Sequence, residues 1–153
     1  MLEAILRNYR WFDHPEGMKF AETYRDNFRS VGHWLFLPGS ISAFHRLTNC
    51  EEIWAIHIGR LSLHMIDSSG GYERVRLGTD VAAGEVPLVT VPRGGWQAAE
   101  LPTLQAFAFG TNVCAPVFDY STCEMGSREQ LIRSFPQHKE LIGRLTHDHQ
   151  PSV

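Results

Sequence analysis

The stretch FHRLTNCEEIWAIHIG, residues 44–59, predicts two short β-strands joined by a turn. The first of these strands runs through ISAFHRL, residues 41–47. Because successive side chains of a strand point to opposite faces, one face is apolar apart from a single histidine. That face carries Ile41, Ala43, His45 and Leu47. The second strand begins near two glutamates, so an imidazole and a carboxylate lie close in sequence within a predicted core.

Similar short strands fill the middle of the chain. Segments such as KFAETYR, GHWLFLP, LSLHMID and QAFAFGTNV alternate in polarity or are rich in apolar and aromatic residues, and turns containing Gly, Pro and Ser separate them. Many short strands of this kind are typical of an antiparallel sandwich or barrel. We therefore predict an all-β fold.

Both ends of the chain predict short helices. Apolar residues recur at helical spacing over residues 2–12. The segment 127–145 begins with a serine cap at Ser127 and restarts at Pro136, a residue favoured in the first turn of a helix. The polar end of the chain, from Thr146 onwards, is expected to be frayed.

The composition excludes several classes of protein. A net charge of −3 without a basic stripe gives no support for nucleic-acid binding. No apolar run is long enough to cross a membrane, and the amino terminus does not resemble a signal peptide, so we expect a cytoplasmic protein. The length of 153 residues predicts one domain, 1–153, with its core at about residues 14–124.

The three cysteines are odd in number and widely spaced. They are Cys50, Cys114 and Cys123. Without a C-x-x-C pair, neither a zinc site nor a disulfide framework is indicated. We expect reduced, buried thiols.

In two segments of the chain, the spacing between particular residues narrows the choice among all-β folds. In the first, the spaced residues are Gly39, His45, Leu47, Glu52 and Gly59. In the second, GEVPLVTVPRGGWQ, they are Gly84, Pro92, Gly94 and Gln97. The two segments resemble the two motifs of the cupin superfamily. Leu47 and Gln97 stand where a cupin carries histidines, and the second segment is two residues longer than the usual form.

Five blocks, in order over roughly residues 5–145, resemble the signature of the cupin-like family DUF985, also called Cupin_5. The blocks are HPEGMKFAETYR (14–25), HRLTNCEEIW (45–54), VPRGGWQAA (91–99), APVFDYSTCE (115–124) and FPQHKELIGRL (135–145). The resemblance implies a cupin jelly roll, a double-stranded β-helix barrel, often dimeric and with a pocket inside. The chain departs from the family pattern at Met18, and at Ala55, where a histidine often follows the tryptophan.

His45 and Glu52 are the predicted catalytic pair. An imidazole on an inward wall is a base whose charge changes near neutral pH, and a neighbouring carboxylate raises its pKa or fixes its tautomer. Strand alternation leaves open whether Glu51 or Glu52 faces inward, and the cupin spacing favours Glu52. The alternative for His45 is a core histidine bonded to a backbone carbonyl.

The candidate metal ligands are His45, Glu52 and Gln97. Imidazole and carboxylate groups suit Fe, Ni, Mn or Zn. Because Leu47 and Gln97 replace two histidines of the full cupin set, only two strong ligands remain. The sequence therefore requires no cofactor, and a divalent metal is the alternative.

Other side chains are candidates for contact with a ligand. Trp54 and Trp96 flank the polar group in sequence and would form stacking walls. Gln97 would donate a hydrogen bond. Residues of the early strand would rim the pocket, namely Lys19, Glu22 and Tyr24. The alternatives are core packing for the aromatic residues and a solvated strand edge for the charged ones.

These residues predict a protein that binds a small polar molecule, sugar-like or nucleotide-sugar-like. The first interpretation is a metal-independent isomerase, epimerase or dehydratase. The alternatives are a metal-dependent cupin oxygenase or isomerase and a non-catalytic sensor, and the sequence does not decide whether the chain is an enzyme. We expect a homodimer, because exposed sheet edges pair readily across a two-fold axis, and no nucleic-acid or membrane partner.

Overall fold

Two antiparallel sheets pack face to face in the computed structural model, which describes residues 1–102 and 105–148. Sheet A has the strand order β1-β2-β3-β10-β5-β8, and sheet B has the order β11-β4-β9-β6-β7. The strands are β1 (Phe12–Asp13), β2 (Lys19–Arg25), β3 (Ser30–Phe36), β4 (Ile41–Leu47), β5 (Glu51–Ile58), β6 (Leu61–Ile66), β7 (Tyr72–Leu77), β8 (Leu88–Val91), β9 (Trp96–Glu100), β10 (Ala108–Ala115) and β11 (Cys123–Met125).

The predicted all-β architecture is confirmed in its antiparallel strands, but the sheets do not close into the predicted barrel. Each sheet keeps two edge strands, β1 and β8 in sheet A and β11 and β7 in sheet B. An isolated parallel bridge between Leu77 and Val86 joins the two sheets near one pair of edges. The strand twist brings these edges together without a continuous hydrogen-bonded ladder, so the molecule is a sandwich that is open at its edges.

The main core lies between the two sheets, because alternating residues of each strand point inward. Its largest buried side chains include Trp34, Phe36, Trp54, Leu61, Leu63 and Leu77. On β5, Glu52, Trp54 and Ile56 are buried while Glu51 is exposed. The strand therefore turns Glu52, and not Glu51, towards the interior.

The helices at the two ends are shorter than predicted. They are α1 (Leu2–Asn8), α2 (Arg128–Ser134) and α3 (Lys139–Arg144), with 3-10 turns at Val81–Ala83, Tyr120–Thr122 and Pro136–His138. The first helix ends early because the chain extends at Tyr9 and pairs as a strand from Phe12. Ser127 caps α2 as predicted, since its side chain accepts from the Gln130 N–H. None of the helices in the described residues is long and apolar enough to cross a membrane.

The carboxyl-terminal segment is more ordered than predicted as far as residue 148. Thr146 is buried, and His147 Nε2 lies 2.9 Å from the backbone oxygen of Glu16. These contacts hold the segment against the sandwich, so the expectation of fraying from Thr146 is wrong for residues 146–148. Residues 149–153 lie outside the described residues. The predicted reduced thiols are confirmed, because all three cysteines are free and buried.

Candidate functional site

A cavity of about 290 Å³ lies against the inner face of sheet A, beside the turn that joins β1 to β2. Its apolar walls are formed mainly by Phe12, Met18, Phe20, Val31, Phe118 and Tyr120. Its polar lining includes His14, Glu16, Glu22, Arg25, Glu52 and Asn112. The cavity therefore joins an aromatic wall to a floor that carries two buried carboxylates.

At this floor one imidazole lies between two carboxylates. His45, on β4 of sheet B, is fully buried, and its Nε2 lies 3.3 Å from Glu16 Oε1 and 3.8 Å from Glu52 Oε2. Its Nδ1 lies 2.9 Å from the Ala43 backbone oxygen. Because a carbonyl only accepts, Nδ1 carries a hydrogen, and a proton on Nε2 would be shared with the two carboxylates. His45 itself does not line the cavity; Glu16 and Glu52 do.

Neighbouring charges and hydrogen bonds together affect the pKa values of His45 and Glu16 more than burial does. Burial disfavours the imidazolium, but the negative charges of Glu16 and Glu52 raise the pKa of His45 to about 9. Burial also disfavours the ionised form of Glu16, yet the charge of His45 and the hydrogen bond from Ser42 keep the pKa of Glu16 below its ordinary value. At neutral pH the group therefore holds an imidazolium beside an ionised carboxylate.

A chain of hydrogen bonds fixes Glu52. Trp54 Nε1 donates to Gln97 Oε1 at 2.9 Å, and Gln97 Nε2 donates to Glu52 Oε2 at 2.6 Å. Asn112 Nδ2 donates to Glu52 Oε1, also at 2.6 Å. Gln97 lies opposite His45 in sheet B, and Asn112, on β10 of sheet A, lies opposite Trp54, two residues along β5 from Glu52. Side chains of both sheets therefore hold one carboxylate between them.

The turn before β2 positions Glu16. Its backbone oxygen accepts from the Ala43 N–H at 2.8 Å, and its Oε2 accepts from Ser42 Oγ at 2.7 Å. Gly17, with φ of +120°, lets the turn approach β4 so closely that a Cβ would lie 2.6 Å from the Ile41 oxygen. The sequence HPEG thus folds as a turn that points a carboxylate inward.

His14 and Arg25 complete the lining of the cavity. The Glu16 N–H donates to His14 Nδ1 at 3.3 Å, and the His14 ring stacks on Tyr120 with 5.8 Å between centroids. Arg25 donates to both carboxylate oxygens of Glu22 and, through Nη1, to the Phe118 backbone oxygen at 2.8 Å. The arginine is therefore already paired on the exposed side of the cavity.

The structure brings together four of the predicted site residues and one predicted rim residue. His45, Glu52, Gln97 and Trp54 form one hydrogen-bonded or ion-paired group, and Glu22 lines the cavity. Trp54 and Gln97 do not line the cavity, and they contact Glu52 or each other instead.

Three other predicted residues lie elsewhere. Because Gln97 points inward, its neighbour Trp96 points outward, where it packs with α2 and α3 and Arg46 lies 4.7 Å from its ring centroid. Lys19 pairs with Asp13 at 2.9 Å, and the Tyr24 hydroxyl donates to Asp26 at 3.2 Å. Neither side chain lines the cavity: Lys19 alternates with Phe20, which does, and a register shift between Glu22 and Tyr24 turns Tyr24 away.

Among the lining residues that were not predicted from the sequence are His14, Glu16, Asn112 and Tyr120. Glu16 and His14 lie in a turn, where no strand period marks an inward residue. The block HPEGM, quoted above for the family resemblance, was the one feature of the sequence that pointed to this turn. Asn112 lies in the predicted strand QAFAFGTNV, but nothing in that pattern indicated a partner for it.

The predicted metal set does not fit this arrangement. Gln97 Oε1 already accepts from Trp54, and Gln97 turns its amide nitrogen, which is no metal ligand, towards Glu52. Leu47 packs with cysteines in an apolar cluster, and the raised pKa of His45 favours a proton on the nitrogen that a metal would need. No group of three or more His, Cys, Asp or Glu side chains in the described ranges has the geometry of a metal site.

Comparisons with known proteins agree with this fold. The family model Cupin_5, described as Cupin superfamily (DUF985), matches residues 3–126. Protein SO0799 from Shewanella oneidensis superposes with a TM-score of 0.90 at 28% identity, covering 96% of this chain and 98% of that chain. A hypothetical protein from Leishmania major superposes with a TM-score of 0.87 at 24% identity, covering 96% and 97%.

A more distant likeness is to Streptomyces Pac13 with uridine. The TM-score is 0.59 at 12% identity, covering 78% of this chain and 85% of that chain. Pac13 is described as a nucleoside dehydratase. Among curated proteins, none matches the chain significantly.

Proposed function

The chain belongs to the Cupin_5 (DUF985) family of the cupin superfamily, and from that premise we propose that its cavity binds a small hydroxylated molecule and moves a proton on it. The observation that carries this proposal is the pair of buried carboxylates, Glu16 and Glu52, at the floor of an aromatic-walled cavity with a protonated imidazole behind them. Buried titratable groups with shifted pKa values in a cleft favour a functional site.

The size and charge of the cavity restrict the ligand. At about 290 Å³ it lies at the lower end of the range of about 300–1,000 Å³ for ligand pockets. That volume suits a single sugar or a nucleoside. A nucleotide sugar would have to keep its phosphates outside, because the carboxylates of Glu16, Glu22 and Glu52 repel an anion and Arg25 is already paired.

Each polar group has a role in the proposed reaction. Glu16 or Glu52 accepts a proton from the bound molecule, because these carboxylates line the cavity. His45, whose pKa is raised to about 9, holds a second proton against the same carboxylates and supplies it through them. Return of a proton to another atom of the molecule is isomerisation, its return to the opposite face of the same carbon is epimerisation, and its delivery to a leaving hydroxyl is dehydration.

Gln97 and Trp54 act as positioning residues in this proposal. The oxygen of the Gln97 amide accepts from Trp54 and its nitrogen donates to Glu52, so both atoms are engaged within the protein. The pair holds the Glu52 carboxylate at a fixed angle. Such support of a reacting group by a second layer of hydrogen bonds limits its motion.

The test is binding and proton exchange with a defined set of compounds. Monosaccharides and nucleosides, with uridine included because Pac13 shares the fold, are titrated by calorimetry and then incubated in D2O and followed by NMR. We expect at least one compound to bind and to exchange a C–H hydrogen or lose water. Glu52→Gln should weaken binding or exchange about tenfold or more, because a charged hydrogen-bond partner is lost.

The control for this test is Glu51→Gln, which changes the exposed neighbour of Glu52. It should leave binding and exchange unchanged. Binding without exchange would favour the non-catalytic sensor, and failure of every compound to bind would refute the proposal. Stoichiometric iron, nickel, manganese or zinc in protein purified without added metal, lost in Glu52→Gln, would favour the metal-dependent alternative instead.

A further inference from the structure

We propose that the side-chain oxygen of Asn112 recognises the ligand, and that it selects molecules that present an O–H or N–H donor beside an apolar or aromatic body. This inference deepens the proposed function, because it concerns the same cavity, and rests on it to that extent. It assigns a specificity residue that the sequence motifs do not mark.

The orientation of the Asn112 amide follows from its neighbours. The Trp54 indole N–H can only donate, so it fixes the oxygen of Gln97 towards itself and the Gln97 nitrogen towards Glu52. The Glu52 carboxylate then accepts on both oxygens, with Asn112 Nδ2 as its second donor. Turning the Asn112 amide over would place two acceptors against each other. Its oxygen is therefore directed away from Glu52.

That oxygen has no hydrogen-bond partner among the described residues. Asn112 is 3% exposed and lines the cavity. A buried acceptor without a donor costs free energy in the empty protein, so a ligand that supplies the donor recovers it. Because Asn112 belongs to the cavity lining, a bound molecule is the donor that the proposal assigns to this oxygen.

Two other buried atoms lack partners in the described part of the chain, and neither competes with this interpretation. His45 Nε2 is 3.3 Å from Glu16 Oε1, so its charge is compensated by an ion pair. Trp34 Nε1 belongs to the packed core between the sheets and does not line the cavity. Only the Asn112 oxygen among these three atoms belongs to a residue of the cavity lining.

The rest of the cavity favours the same class of ligand. Beside Asn112 the floor presents the carboxylates of Glu16 and Glu52, which accept and do not donate. Opposite them stand aromatic side chains, among them Phe20 and Phe118. A ring-shaped neutral molecule with hydroxyl or amino hydrogens on one side satisfies both surfaces, whereas its ether analogue leaves the acceptors unpaired.

The experiment compares resorcinol with 1,3-dimethoxybenzene, which has the same ring without donors. Dissociation constants are measured at pH 7 by NMR titration of the full chain. We expect wild type to bind resorcinol about tenfold more tightly than the ether. Asn112→Leu should lower that preference several-fold and leave only the part that the Glu16 and Glu52 carboxylates supply. In wild type, the Asn112 side-chain carbonyl carbon should shift with resorcinol and not with the ether, a readout that requires no variant.

Gln97→Leu is the matched control, because it also removes one donor to Glu52 but no cavity acceptor. It should weaken both compounds similarly and keep the preference. Equal loss of preference in the two variants would overturn the inference, since Asn112 would then act only by holding Glu52. So would absence of a resorcinol preference in wild type. A preference that depends on Asn112, without turnover of any sugar or nucleoside, would refute the proposed reaction and leave the recognition role standing.

Discussion

His45 shares its environment with two carboxylates that come from different parts of the chain. Glu16 lies in the turn before β2 and Glu52 lies on β5, yet both approach the same imidazole nitrogen. One positive charge between two buried carboxylates leaves the group with one excess negative charge. Hydrogen bonds from Ser42, Gln97 and Asn112 spread that excess charge.

This arrangement predicts how stability depends on pH. The folded-state pKa of His45, about 9, lies above the ordinary value of 6.5. The contribution of protonated His45 to the free energy of unfolding is therefore fully present below pH 6.5 and is lost as the pH rises through about 9. In Glu16→Gln the pKa of folded His45 should fall, so the decline in the free energy of unfolding should still begin near pH 6.5 but should be smaller and end at lower pH.

Ring NMR titration of His45 and urea unfolding between pH 6 and about 10 measure the two effects. Glu51→Gln, whose side chain is exposed on the opposite face of β5, should leave both curves unchanged. A wild-type His45 that titrates at or below its ordinary pKa would contradict the prediction.

At this scale the sequence could predict the motif residues and not their partners. His45 and Glu52 have a spacing that the cupin resemblance marks, and the structure places them on facing walls of one interior. Glu16 contacts the same imidazole from a turn, and its position depends on how that turn packs on β4. No local pattern encodes a contact of that kind. Trp96 was misplaced for a simpler reason, since Gln97 and Trp96 are adjacent and cannot both face inward.

Among the elements, β3 shapes the cavity through a residue without a side chain. Gly32 pairs with Asn112 on β10, and a Cβ at this position would lie 2.1 Å from the ring of Phe20. The Phe20 ring can therefore lie over the strand and form a wall of the cavity. Strand β3 contributes space here, where its neighbours contribute side chains.

Gly32→Ala should displace Phe20 and destabilise the protein by about 1–3 kcal/mol, the usual cost of overpacking. Binding of resorcinol should weaken at the same time.

Gly143→Ala is the matched control, because Gly143 lies in α3 and a Cβ there would meet nothing within 4 Å. It should be neutral or stabilise by about 0.5–1 kcal/mol. Urea unfolding measures both, and a neutral Gly32→Ala would contradict the overlap with Phe20.

The strands could be predicted better than the helices because their signals differ in origin. Strands can be predicted from a short window of alternating or apolar residues, although on β5 this alternation did not show whether Glu51 or Glu52 is the buried one. Helix ends depend on competition between neighbouring elements. The apolar spacing of residues 2–12 continues past Asn8, but pairing of Phe12 with Phe20 takes the chain into a strand.

For the whole molecule, the open edges of the sandwich lead us to propose a homodimer. Edge strand β7 carries Glu73, Arg74 and Arg76, charges that discourage pairing with another strand. Edge strand β8, with the sequence LVTV, carries none, and its Leu88 is 54% exposed. The uncharged edge is the surface that a second copy of the chain would cover.

Sedimentation should therefore give about twice the chain mass of 17.4 kDa. Leu88→Lys should shift the protein to the monomer, because it places a charge on that edge. Tyr24→Lys, at a similarly exposed residue of β2, should leave the dimer intact. A wild-type mass equal to one chain would contradict the prediction.

The hydrogen bond between His147 and the Glu16 carbonyl joins positions 131 residues apart in the sequence. A nascent chain cannot make it until residue 147 has been synthesised and has left the exit tunnel. The turn that carries Glu16 should therefore reach its final position late in folding, since contacts at long sequence separation close late.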